Sequence, residues 1–228
     1  MFEYERARRK EESVEQSMGP VMCDPRSLIE GLNPQQEEAV KYYGQALLIG
    51  AGAGSGKTRV LTRRIAWLLA HGFWASSILA ITFTNKAAAE MRERLVTLVG
   101  PEAEHMWIST FHSACVRILR RDIDRLGFDK DFTIYDTDDS KRVIKDILKE
   151  QNLDEKTFQP KSILSTISSS KDKYESPEEF AAKHSNEMDW KMSRIAKVYA
   201  AYAKKLRAAN ALDFDDIIYH TVTLLQQE

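Results

Sequence analysis

Short apolar runs alternate with helix-like segments in the first half of the chain. The runs are ALLI (Ala46–Ile49), SILAITF (Ser77–Phe83) and MWIS (106–109). Runs of this length, bounded by turn residues, favour strands that are buried on both faces. Each run precedes a segment with apolar residues at helical spacing. Three strand–helix repeats predict an α/β fold with a parallel sheet flanked by helices.

The pattern becomes helical after residue 127. FTIYD reads as one short strand, and helices are predicted over Ser140–Glu150, Pro160–Lys171 and Pro177–His184. A longer helix has one apolar face, formed by Ile195, Val198, Tyr199, Tyr202 and Leu206. We therefore expect a mostly helical inserted subdomain over residues 128–208.

Both ends of the chain have a distinct character. Residues 1–30 are highly charged and predict a disordered or loosely helical extension. LNPQQEEAVKYY then predicts a short helix with Asn33 as N-cap and Pro34 in its first turn. Residues 209–228 contain LDFDDII, for which we expect an amphipathic helix capped by Asp213.

Composition narrows the functional classes only slightly. Of the 228 residues 43% are hydrophobic and 29% charged, and the net charge of -1 carries no general nucleic-acid signature. Cys23 and Cys115 have neither metal-ligand spacing nor the pattern of a disulfide framework. The charged N-terminus does not resemble a secretory signal, and no apolar stretch has transmembrane length. We expect a cytoplasmic protein without a membrane partner.

The clearest chemical motif is AGAGSGKT, which follows the first predicted strand and opens a helix. Glycines in such a turn let several backbone N–H groups face one anion, and Lys57 supplies a positive charge for the β- and γ-phosphates. Thr58 offers a hydroxyl to Mg²⁺. The alternative is a glycine-rich turn that binds nothing. The motif predicts nucleotide binding by Ala51, Gly52, Ala53, Gly54, Ser55, Gly56, Lys57 and Thr58.

Segments along the chain resemble the UvrD/PcrA/Rep-type DNA helicases of superfamily one. LNPQQEEAV is similar to their Q motif, and AGAGSGKT with RVLTRRIAWLL to their Walker A segment. ITFTNKAAAEMRER resembles motif Ia, and STFHSACVRILR resembles motif Ib. ANALDFDDII is similar to the segment in which the chain re-enters the first motor domain. The resemblance covers residues 31–228.

This resemblance implies an ATP-dependent enzyme with a RecA-like P-loop domain over residues 31–127 and Mg²⁺ as a second cofactor. Gln36 would read the adenine edge, and Arg59 would lie along the nucleotide, although a surface salt bridge is an equal alternative for Arg59. Single-stranded DNA would contact Phe83, Thr84, Asn85, Lys86, Thr110, Phe111 and His112. The alternatives are a core aromatic for Phe83 and a structural histidine for His112.

Four arginines of the segment after motif Ib leave two interpretations open. Arg117, Arg120, Arg121 and Arg125 could line a nucleic-acid path, or they could form a solvated face, since Asp122 and Asp124 lie among them.

The family's DExx segment, which holds Mg²⁺ and orients the attacking water, has no counterpart here. Asp213, Asp215 and Asp216 follow no apolar run and do not read as a Walker B strand. The chain is thus expected to be the N-terminal part of a helicase, ending before the DExx segment and the second motor domain. The intact protein would move 3′ to 5′ on single strands and single-strand/duplex junctions in DNA repair or replication. Rival interpretations are a natural ATP- or DNA-binding module without turnover and a small-molecule P-loop kinase.

Overall fold

A computed structural model describes residues 23–185 and 190–227. Most of the predicted extension, residues 1–22, lies outside this range. Residues 23–30 were assigned to the same extension, but they include a short 3₁₀ helix, Pro25–Leu28, and Leu28 is buried in a hydrophobic core. The chain divides into two compact units, Met1–Thr110 and Phe111–Glu228. The domain boundaries expected from the sequence, after residues 127 and 208, stay predictions.

Helices and strands alternate in the first unit. Its elements are α1 (Pro34–Lys41), α2 (Lys57–Ala70), β1 (Leu79–Thr82), α3 (Asn85–Val99) and β2 (Trp107–Thr110). Strands β1 and β2 are parallel, with Thr82 opposite Thr110, so both strands end at one edge of the sheet. The α/β alternation and the parallel pairing are therefore confirmed for these two strands. The larger RecA-like sheet stays a prediction.

The predicted strand over Ala46–Ile49 is wrong. Residues 46–50 have no regular secondary structure, and Leu48 is 97% exposed. A strand exists only where its backbone groups pair with a neighbouring strand. Among the described residues, β1 pairs with β2 and no strand pairs with residues 46–49. The apolar run has the composition of a buried strand but lacks the partner that would make it one.

The second unit is mostly helical, as predicted. Its helices are α4 (Phe111–Asp122), α5 (Thr137–Glu150), α6 (Pro160–Asp172), α7 (Pro177–Lys183), α8 (Trp190–Ala208) and α9 (Phe214–Gln226). The predicted strand in FTIYD is confirmed as β3 (Thr133–Ile134). It pairs in parallel with β4 (Ala211–Leu212), which the sequence pattern did not predict. This pairing places the start of α9 directly after a buried strand.

Helix α8 contributes the centre of the second unit's larger core. The five residues of its predicted apolar face are all buried, and Tyr199 and Tyr202 are among the largest fully buried side chains. They pack with Ile144, Ile147 and Leu148 of α5 and with Ile163 and Ile167 of α6. A smaller cluster joins Leu119 of α4 to Ile217 and Leu224 of α9. Within residues 23–185 and 190–227, no helix combines the length and the apolar character that crossing a membrane requires.

Candidate functional site

The glycine-rich loop leads directly into α2. Gly54 and Gly56 have φ angles of +74° and +83°, which are left-handed conformations that side chains with a Cβ rarely adopt. Gly56 is the N-cap of α2 and provides no side-chain hydrogen bond to the helix start. The first N–H groups of an α-helix have no partner within the helix, so they are suited to bind an anion. The left-handed glycines and the uncapped helix start favour the phosphate cradle, which stays a prediction.

The Lys57 side chain folds back over this loop. Its Nζ donates to the carbonyl oxygens of Ala51, at 3.1 Å, and Gly52, at 2.6 Å. The Ser55 hydroxyl also donates to the Gly52 carbonyl, at 2.7 Å. An ammonium group has three donors, so a phosphate can take the third or displace a carbonyl. Lys57 and Thr58 are both exposed, as a ligand contact requires.

The loop face is open. A Cβ placed on Gly50, Gly52 or Gly54 would meet no atom within 4 Å. Gly54 and Gly56 have left-handed φ angles, and a Cβ at Gly56 would also lie 3.2 Å from Gln36 Nε2. Gly52 has neither feature, so its backbone conformation does not require glycine. Gly50, Gly52 and Gly54 therefore leave the loop accessible from solvent.

Gln36 connects α1 to the loop. It forms a capping box with Asn33, in which Gln36 Oε1 accepts from the Asn33 N–H at 3.1 Å. Its Nε2 donates to the Ser55 carbonyl at 3.1 Å. A carboxamide has two donors and two lone pairs, so one of each remains for an adenine edge. The N-cap at Asn33 and the early proline at position 34 were predicted and are confirmed.

Sequence reasoning missed the arginines that tie α1 and the preceding segment to α2. Arg64 Nη1 donates to the carbonyls of Ala39, at 3.0 Å, and Tyr42, at 2.6 Å, at the end of α1. Arg63 Nη1 donates to the carbonyls of Leu28 and Glu30. Arginines on an amphipathic helix usually face solvent, and no local pattern marks these as ties to distant backbone. Arg59, the candidate nucleotide contact, is exposed.

The motif Ia residues cluster after β1. Phe83 is 91% exposed, so the alternative of a core aromatic is wrong. Thr84 is the N-cap of α3 and accepts from the Ala87 N–H at 3.1 Å, while Asn85 and Lys86 occupy the first turn of that helix. Because β1 and β2 end at the same edge, Thr110 of motif Ib lies at this edge too. The structure thus brings the candidate residues of the first unit together.

The remaining motif Ib residues open the second unit. Phe111 and His112 form the exposed start of α4. The His112 ring meets the Phe214 ring edge-on, with centroids 6.0 Å apart.

Arg120 and Arg121, two of the four arginines after motif Ib, contact neighbouring residues of the second unit. Arg120 stacks on Phe132 at 3.8 Å and donates to the Lys130 carbonyl at 2.6 Å. Arg121 pairs with Asp122 at 2.7 Å. The contacts of Arg120 favour a structural role for that side chain, whereas Arg121 is exposed and its role stays open.

Two of the three aspartates of LDFDDII, Asp213 and Asp216, are buried, whereas Asp215 is half-buried. Asp213 caps α9, as predicted, and both Asp213 and Asp216 bind Lys171 of α6, with Nζ–Oδ distances of 2.8 and 2.6 Å. Burial opposes the ionisation of Asp213, but Lys171 holds the pKa of that carboxyl below its usual range. Burial raises the pKa of Asp216 to about 6, against the attraction of Lys171 and with the Asp213 charge adding to the rise. Because both carboxylates are bound to Lys171, Asp213 and Asp216 are suited to stabilising the fold of the second unit.

The sequence AGAGSGKT at the start of a helix, in a unit with two parallel strands, is typical of P-loop proteins of the α/β class. The sequence matches the family model described as the UvrD/REP helicase N-terminal domain over residues 32–228. The chain belongs to the UvrD/REP helicase family, and the matched part is its N-terminal domain.

Named relatives agree with this assignment. The chain is 57% identical over 201 residues to the ATP-dependent DNA helicase PcrA of Bacillus subtilis (strain 168), which covers 88% of this chain. It is 51% identical over 210 residues, 91% of the chain, to the ATP-dependent DNA helicase UvrD1 of Mycobacterium tuberculosis (strain ATCC 25618 / H37Rv). PcrA of Staphylococcus aureus (strain NCTC 8325 / PS 47) is 50% identical over 202 residues. The matched part spans 27% of the length of each of these relatives.

Proposed function

We propose that this chain is the N-terminal ATP- and single-stranded-DNA-binding part of a 3′–5′ ATP-dependent DNA helicase or translocase. The intact enzyme would act in DNA repair or replication, in the cytoplasm, on single strands and single-strand/duplex junctions. The observation that carries the proposal is the Lys57 ammonium group over a glycine loop at an uncapped helix start. The named helicase relatives support ATP use.

The nucleotide would bind with its phosphates over the loop residues Ala51 to Gly56. The N–H groups at the start of α2 and the Lys57 ammonium would hold the negative charge. Thr58 would offer its hydroxyl to Mg²⁺, which neutralises phosphate charge when it is bound. Gln36 would use its remaining donor and acceptor on the adenine edge. Arg59 is proposed to lie along the nucleotide.

DNA would bind at the edge where β1 and β2 end. The proposal assigns base stacking to Phe83 and phosphate or base contacts to Thr84, Asn85 and Lys86. Thr110 lies at the same edge of the first unit. Phe111 and His112, which open the second unit, are proposed as further contacts. The exposure of Phe83 supports this assignment, because a stacking residue must present its ring face.

The test of the proposal is a fluorescent-ATP titration in the presence of Mg²⁺. The wild-type chain should bind saturably, and Lys57→Ala should abolish measurable binding. Charge-assisted hydrogen bonds of this kind contribute about 1.5–3 kcal/mol each. Lys149→Ala is the matched control, since Lys149 is an exposed lysine in the last turn of α5. Equal affinities for wild type and Lys57→Ala would refute the proposed nucleotide site.

A further inference from the structure

The second unit contains a buried charged cluster built from three helices. Lys171 of α6, whose side chain is only 5% exposed, places its Nζ 2.8 Å from Asp213 Oδ2 and 2.6 Å from Asp216 Oδ1. The Tyr202 hydroxyl of α8 donates to the same Asp213 Oδ2 at 2.9 Å. A lysine and a tyrosine from two helices thus meet at the start of a third.

The two carboxylates also form the capping box of α9. Asp213 Oδ1 accepts from the Asp216 N–H at 2.8 Å, and Asp216 Oδ2 accepts from the Asp213 N–H at 3.2 Å. All four carboxylate oxygens are therefore engaged, two by the helix start and two by Lys171 and Tyr202. The capping box marks where α9 begins, and because both of its carboxylates also face one ammonium group, the first turn is tied to Lys171 of α6.

The first residue of α9 is Phe214, which directly follows the capping aspartate. Phe214 is 51% exposed, and its ring stands at 73° to the ring of His112 with centroids 6.0 Å apart. Helices α4 and α9 also share the smaller hydrophobic cluster through Leu119, Ile217 and Leu224. The first turn of α9 consequently forms one side of the environment of His112.

We propose that Lys171 is a positioning residue for the candidate DNA contact at His112. By holding Asp213 and Asp216, it fixes the first turn of α9, so that Phe214 packs edge-on against the His112 ring and sets its orientation. The inference rests on the proposed function in one respect, namely that His112 touches DNA. Without the lysine, two buried carboxylates three residues apart would repel each other at the helix start. The helix start would then shift or admit water.

The first measurement is the NMR shift of the His112 ring protons in the DNA-free chain. The Phe214 ring contributes to those shifts, and Phe214→Leu gives the size of that contribution. We expect Lys171→Met to move the His112 shifts toward the Phe214→Leu values and Lys171→Arg, which keeps the charge, to restore them at least in part. If Lys171→Met does not fold, Lys171→Gln replaces it. Its neutral amide keeps a donor that helps the chain to fold, but it removes the positive charge that both carboxylates share, so the His112 shifts should still move toward the Phe214→Leu values.

The second measurement separates positioning from general stability. Ile163→Ala removes a buried side chain from the same helix, on its hydrophobic face, and serves as the matched control. We expect Lys171→Met to weaken single-stranded DNA binding by roughly threefold to tenfold, as for residues that share one network. Ile163→Ala should lower the free energy of unfolding about as much as Lys171→Met does. It should nevertheless leave the DNA affinity and the His112 shifts near their wild-type values.

Two results would overturn the positioning role. One is an unchanged His112 spectrum in folded Lys171→Met or Lys171→Gln, and the other is an equal response of the Ile163→Ala control. His112→Ala distinguishes this failure from that of the proposed function. If His112→Ala binds DNA like wild type, the assigned DNA contact is wrong, whereas the spectra still decide whether Lys171 orients the ring.

Discussion

Phe83 provides the most direct residue-level test of the DNA surface. Its ring is exposed directly after β1, beside the first turn of α3. We expect Phe83→Ala to weaken single-stranded DNA binding by about 1–3 kcal/mol, the contribution of one base stacked on an aromatic ring. Fluorescence anisotropy with a labelled oligothymidine measures this loss. Phe73→Ala, which removes another half-exposed phenylalanine of the same unit, should bind like wild type.

The salt dependence distinguishes stacking from phosphate contact. A phosphate contact by Lys86 contributes about −0.7 to the slope of log affinity against log salt. Phe83→Ala should lower the affinity without changing this slope, whereas Lys86→Ala should make it shallower by about that amount. A Phe83→Ala chain with wild-type affinity would remove Phe83 from the DNA surface.

Individual site residues were predictable only where the residues that act together are close in the sequence. The glycine loop and Lys57 follow from a contiguous motif, and the structure gives Gly54 and Gly56 the left-handed conformations that the motif requires. The bond from Gln36 to the Ser55 carbonyl was not predictable, because it joins residues 19 positions apart. The same holds for Lys171, which is 42 positions from Asp213.

At the scale of elements, the partly buried His220, whose side chain is 18% exposed, contributes a pH dependence to the stability of α9. Burial lowers the pKa of His220 to about 4, and the charges of Lys171 and Arg207 add to this effect. As the pH falls from 6.5 to 4, the unfolded chain takes up a proton at this position while the folded chain does not, so stability is lost. Asp216 has the opposite effect on stability. Its pKa is raised to about 6 in the folded chain, so as the pH falls the folded chain binds this proton before the unfolded chain does, and stability is gained.

We therefore expect His220→Gln to become more stable relative to wild type as the pH falls from 6.5 to 4. The difference should reach about 3 kcal/mol, the value of a shift of this size. Urea unfolding followed by circular dichroism at several pH values provides the measurement. The matched control is His105→Gln, which changes an exposed histidine of the first unit. A constant difference between His220→Gln and wild type over this range would contradict the prediction.

Helices were predicted more accurately than strands, for a physical reason. The starts of α1 and α9 are marked by Asn33 and Asp213, which bond to backbone three residues away. Such signals lie within a few residues of sequence. The strand predicted at Ala46–Ile49 and the unpredicted β4 both show that a strand depends on a distant partner. Thr133 and Ala211, which pair in the second unit, are 78 positions apart.

At the scale of the whole chain, we expect binding of Mg²⁺–ATP without turnover. ATP hydrolysis needs a carboxylate that orients the attacking water. Asp213 and Asp216 already share Lys171, and each also caps α9. Phosphate release should stay at the level of Lys57→Ala, with and without single-stranded DNA. Turnover stimulated by DNA would show that an aspartate of LDFDDII supplies the carboxylate after all.

The α/β class of the fold was predictable from the sequence, but the number of strands in its sheet was not. The alternation of strands and helices around β1 and β2 is present, and the described part of residues 128–208 is mostly helical, as predicted. Sheet size depends on pairings between distant segments, which local patterns do not encode. The helicase resemblance, by contrast, rests on contiguous motifs, and the family model covers residues 32–228.

The exposed apolar run before the glycine loop has a consequence for how the chain behaves in solution. The run exposes three large apolar side chains to water, those of Leu47, Leu48 and Ile49. Exposed apolar segments without a pairing strand favour self-association. Concentrated preparations should scatter light and brighten an environment-sensitive dye such as ANS. We therefore expect aggregation of the chain to start at residues 47–49, directly before the glycine-rich loop.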